Sequence, residues 1–70
     1  MHRDLTHTER VVYEAARAET RAQRWRIEAE IAERRGDPAA FAREQQRDYE
    51  AEAAERWRLF ASLKGERAAA

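Results

Sequence analysis

The residues most suggestive of chemistry are two short echoes, Arg24-Trp25-Arg26-Ile27 and Arg56-Trp57-Arg58-Leu59, which lie 32 positions apart. An indole flanked by guanidinium groups can stack on a nucleobase while the arginines reach phosphates. The same pattern also describes a packed tryptophan whose neighbouring arginines carry their charges out to water. Helical phase favours packing, because Trp25 falls within an apolar seam and Trp57 borders another. Two echoes are also too few for a repeat architecture, which needs three or more units.

Other reactive groups are scattered. His2 and His7 are the only histidines. A metal centre needs three or four converging ligands, and the Glu-x-x-His pairs of di-iron bundles are absent, so His2, Asp4 and His7 would hold nickel or zinc only adventitiously. No glutamate neighbours a histidine in an acid–base pattern, and Ser62, the only serine, has no base nearby in sequence. Two glycines cannot make a phosphate-cradling loop. Arg35-Gly36-Asp37 matches an adhesion tripeptide, but each of its residues has a helix-ending or helix-starting role. Neither enzymatic activity nor a cofactor is expected.

Size and composition narrow the field further. Seventy residues suit one small domain, and 16 of the 30 hydrophobic residues are alanine. A core this small seldom supplies more than a few kcal/mol unaided. With no cysteine there is no disulfide or thiolate site, which suits a reducing compartment, and a cytoplasmic location is expected. No apolar run reaches membrane-spanning length and the polar faces mix both signs instead of being basic, so no membrane association is expected. Fourteen basic and fourteen acidic residues cancel, so nucleic acid is not an expected partner. The excess of arginine over lysine, 13 to 1, inflates any apparent basic patch.

The elements that must carry these residues are two helices. Helix formers dominate on both sides of the breakers in Arg35-Gly36-Asp37-Pro38. Gly36 suits the left-handed position after a helix, with Arg34 and Arg35 at the negative end of its dipole. Asp37 and Pro38 suit the N-cap and first position of a second helix. Thr6-x-x-Glu9 matches a capping box, and Lys64-Gly65 a stop signal. The expectation is an all-α antiparallel two-helix hairpin. It comprises a flexible N-terminus over 1–5, helix 1 over about 6–35, a turn at 36–37, helix 2 over about 38–64 and a frayed tail over 65–70. Each helix would be about 40 Å long.

In such a hairpin residue i lies level with about residue 73 − i. The run Arg17, Arg21, Arg24, Arg26 then lies beside the stretch holding Asp48, Glu50, Glu52 and Glu55, and ion pairing across the hairpin is expected to offset like charges within each helix.

Heptad spacing marks the seams as Val11, Ala15, Ala18, Ala22, Trp25, Ala29 and Ala32 on helix 1, and Ala42, Gln46, Tyr49, Ala53, Arg56, Phe60 and Leu63 on helix 2. Helix 1 carries a second stripe through Leu5, Val12 or Tyr13, Ala16, Thr20, Ile27 and Ile31. One neighbour can cover only one stripe, which leaves Ile27, Ile31, Phe41 and Leu59 in water. Their burial would contribute roughly 6–10 kcal/mol before association costs. The expected function is therefore a non-enzymatic protein–protein interaction module that self-associates, two hairpins pairing into a four-helix bundle. The expected interface residues are Val12, Tyr13, Trp25, Ile27, Ile31, Phe41, Trp57, Leu59 and Phe60. A different protein could cover the same residues. The alternative is a small nucleic-acid-binding regulator that uses Arg17, Arg21, Arg24 and Arg26.

Overall fold

A computed structural model describes residues 4–69, with side chains through Gly65. It contains two helices, α1 (His7–Arg35) and α2 (Ala40–Ala69), packed antiparallel. The described chain forms a slab with extents of 54 × 33 × 13 Å. A slab one helix thick has two broad faces and no second layer over either.

Local chemistry fixes the start of α1. The Thr6 hydroxyl accepts from the Glu9 amide at 3.1 Å and donates to the Glu9 carboxylate at 3.0 Å, while Arg10 N–H closes the first turn on the Thr6 carbonyl. Thr6 is thus the N-cap, and its hydroxyl satisfies the otherwise unpaired Glu9 amide of the first turn.

The end of α1 is a full Schellman motif. Gly36 has φ 74°, and its N–H donates to the Glu33 carbonyl at 3.1 Å. The next amide, that of Asp37, donates to the Ala32 carbonyl at 2.8 Å. A Cβ at Gly36 would meet nothing within 4 Å, so only the backbone conformation demands glycine there. Gly36→Ala is therefore expected to lower stability by about 1 kcal/mol, the left-handed penalty alone, as measured by urea unfolding.

Two expected boundaries are corrected. The second helix begins at Ala40, not near Pro38, and its first backbone bond runs from Arg43 N–H to the Ala39 carbonyl. Asp37 closes α1 through its amide, and because the first bond of α2 falls on the Ala39 carbonyl, Ala39 and not Asp37 occupies the N-cap position. At the other end α2 continues through Gly65 to Ala69, where Lys64-Gly65 suggested a stop. Gly65 does not adopt the left-handed conformation that would end the helix. Of the segments expected to be flexible, residues 1–3 and Ala70 lie outside the described residues.

The core is thin. Its buried residues are Val11, Ala15, Ala18, Ala22, Ala29 and Ala53, with Ala15 and Ala29 fully covered. All lie on the two heptad seams, whose other members, from Trp25 and Ala32 to Tyr49, Phe60 and Leu63, are half-buried. Alanine lets the helix axes approach closely, but it removes little apolar surface from water per residue. No large side chain among the described residues is fully buried.

Candidate interaction surface

Among the described residues, the large apolar side chains that stand in water are Leu5, Tyr13, Ile27, Phe41 and Leu59, with Phe41 the most open at 65%. They belong to different parts of the slab.

One broad face centres on Trp25 and Tyr49. The Trp25 and Phe41 rings meet edge to face, with centroids 5.6 Å apart at 86°. The Arg21 guanidinium lies over the Tyr49 ring, 5.7 Å from its centroid. Three shallow depressions join along this face. The first is lined by Tyr13, Arg17, Thr20, Arg21 and Arg24, and the second by Arg21, Arg24, Trp25, Glu28 and Tyr49. The third is lined by Tyr49, Gln45, Asp48, Glu52 and Glu55. Arg21 and Arg24 link the first to the second, and Tyr49 links the second to the third.

The opposite face centres on Trp57. Its ring meets Phe60 edge to face at 5.9 Å and 80°, and its indole N–H donates to the Glu19 carboxylate. This tryptophan lines a separate depression with Glu19, Gln23, Arg26, Gln46 and Glu50. At the open end of the hairpin, Leu5, Val12, Tyr13 and Phe60 line an apolar groove. Ile27 is 46% exposed and Ile31 half-buried. Six of the nine expected interface residues are thus divided between surfaces: Trp25 and Phe41 share one face, Trp57 lies on the other, and Val12, Tyr13 and Phe60 meet at the open end.

The arginines separate as well. Arg17, Arg21 and Arg24 share the Trp25 face, whereas Arg26 lies on the Trp57 side and approaches Glu30 at 4.0 Å. The ion pairing expected between these arginines and the Asp48–Glu55 stretch does not form within the hairpin. Among the described residues, the cross-helix ion pairs are Arg43–Glu33 at 2.6 Å and Arg56–Glu14 at 3.3 Å, which run the other way, from bases on α2 to acids on α1. The physical reason is azimuth: the two charged rows flank the face, with the Trp25 and Tyr49 rings between them.

The Arg43–Glu33 clamp closes the turn end. Arg43 Nε and Nη2 donate to the two Glu33 carboxylate oxygens at 3.1 and 2.6 Å, and Nη1 donates to Gln46 Oε1 at 2.7 Å. Composition did not single this clamp out, although positions flanking a heptad seam commonly carry such pairs. The hydrogen bond from Arg43 holds the Glu33 carboxyl below its ordinary range, against a smaller opposing effect of desolvation. A carboxylate with a depressed folded-state pKa stabilises above its unfolded pKa, and that contribution disappears as pH falls through the lowered value. Arg43→Gln is therefore expected to lower the thermal midpoint slightly at neutral pH. The difference from wild type should vanish once both forms of Glu33 are protonated, as followed by circular dichroism at a series of pH values.

Among the described residues, no three His, Cys, Asp or Glu side chains converge as a metal site; His2 lies outside those residues. Nor is any helix among them long and apolar enough to cross a membrane. Compared with protein-family models, curated proteins and solved structures, the chain has no significant match in any of the three.

Proposed function

We propose that this chain is a non-enzymatic helical-hairpin interaction module that self-associates, serving as a small adaptor, regulator or structural subunit in the cytoplasm. One observation carries the reading: the interior is Val11 and a seam of alanines, while Tyr13, Ile27, Phe41 and Leu59 remain open to water. A chain of this size gains little from such a core, and covering the large side chains adds the missing apolar burial. Pairing two slabs supplies the second layer that each lacks and makes a four-helix bundle. Light scattering on an untagged sample tests it: a dimeric mass supports the module, and a monomer at high concentration refutes it.

The nucleic-acid alternative gains nothing from this surface. Arg26 lies apart from Arg17, Arg21 and Arg24, and Asp48, Glu52 and Glu55 border the same face. Phosphate binding favours a continuous basic surface, which these acids interrupt. Retention on duplex DNA at about 50 mM salt, lost steeply by about 200 mM, would revive it.

A further inference from the structure

The face around Trp25 and Tyr49 is self-complementary, and we infer that a second copy covers it with the two turns at the same end of the bundle. This inference rests on the self-association reading and adds to it the face used and the orientation of the copies.

On α1, Tyr13, Arg17, Arg21, Arg24, Glu28 and Ile31 follow one another at steps of three or four residues, as do Phe41, Gln45, Asp48, Glu52, Glu55 and Leu59 on α2. Such steps keep side chains on one side of a helix. The linked depressions place both rows on the Trp25 face, since they include the middle of each row and share Tyr49 between them. Each row is therefore charged in the middle and apolar at its ends: the α1 row carries three arginines before Glu28, and the α2 row carries three acids after Gln45.

These charges are not matched within the hairpin. None of Arg17, Arg24, Asp48, Glu52 and Glu55 takes part in an ion pair within the described chain, whereas Glu33, Arg43, Glu14 and Arg56 are paired. On the Trp57 face several charges are already matched: Glu33–Arg43 and Arg26–Glu30 are paired there, and Glu19 accepts from Trp57.

Face-to-face packing of two slabs permits two dyads that align the helices, and the rows distinguish them. With the dyad perpendicular to the helices, α1 faces α1 and α2 faces α2, so arginines oppose arginines and acids oppose acids. With the dyad parallel to the helices, α1 of one copy lies against α2 of the other at the height its own α2 occupies. Residue i then meets about residue 73 − i of the second copy. Arg17, Arg21 and Arg24 face Glu55, Glu52 and Asp48. Tyr13 meets Leu59 at one end, and Ile31 meets Phe41 at the other. Basic meets acidic and apolar meets apolar along the row, and both turns lie together. Opposed potentials select register and suppress the inverted arrangement.

Charge exchange between copies tests this. Arg17→Glu with Arg24→Glu makes both rows acidic, and Asp48→Arg with Glu55→Arg makes both basic. Each double variant alone is expected to dimerise at least roughly 100-fold more weakly than wild type, while their 1:1 mixture regains a dimeric mass. A second measurement needs no charge change: spin labels on Asp37→Cys should lie less than about 25 Å apart within the dimer, whereas the inverted dyad separates the turns by about 40 Å, one helix length. A wild-type dimer with a monomeric mixture, unweakened double variants or turns a helix length apart overturns the inferred face or orientation and leaves self-association standing. A monomeric wild type overturns both.

Discussion

Replacing Ala15 with leucine is expected to be the most damaging single change to the fold, lowering stability by about 2–3 kcal/mol and the thermal midpoint by roughly 10–20 °C. Ala15 has no exposed surface and sits in the seam where α1 meets α2. A leucine brings three more carbons to a contact whose closeness depends on their absence. The helices must then separate, and the seam loses contacts on either side of the new side chain. Ala16→Leu is the matched control, since Ala16 is exposed one position away and should shift stability by no more than about 0.5 kcal/mol. Thermal unfolding followed at 222 nm distinguishes the two. Equal midpoints would show that the seam is not close-packed.

The second large effect is expected on association. Phe41 is 65% exposed and touches Trp25 by one edge, so the isolated hairpin gives it little to do. If a second copy covers it, Phe41→Ala removes a ring from each copy and leaves a gap opposite Ile31. The dimer dissociation constant should rise roughly a hundredfold, equivalent to about 3 kcal/mol, with helix content unchanged at high concentration. A change below about threefold would mean that Phe41 faces water in the dimer as well as in the hairpin.

Features set by neighbours a few residues apart were the most legible in the sequence. Gly36 reads as a helix end because its permissive backbone and the preceding arginines point the same way, and it adopts φ 74° there. The alanine-rich seams read equally well, because heptad spacing fixes which positions meet whatever their size. Asp37 misled because it fits two roles. Its side chain suits an N-cap, but its amide makes the last bond of α1, to the Ala32 carbonyl, and the first bond of α2 falls two residues later on the Ala39 carbonyl. Gly65 misled for the opposite reason: among helix formers its penalty is only about 1 kcal/mol, not enough to stop a helix.

The charged rows show how far a one-dimensional reading extends. Level pairing correctly opposed Arg17, Arg21 and Arg24 to acids on α2 in height, but it carries no azimuth. The seam positions Trp25 and Tyr49 lie between the rows, and this separation of basic from acidic flanks appears only once both helices are placed. The division of Trp25 and Trp57 between opposite faces has the same origin. Their local sequences are alike, yet each helix presents its tryptophan to a different side.

Sedimentation equilibrium of the untagged chain over a hundredfold range of concentration tests most directly whether large side chains left open by the hairpin are covered by another copy. Twice the chain mass at the upper end, falling toward one chain mass on dilution, is the expected result. A single-chain mass across the whole range, with the helices intact, would contradict it.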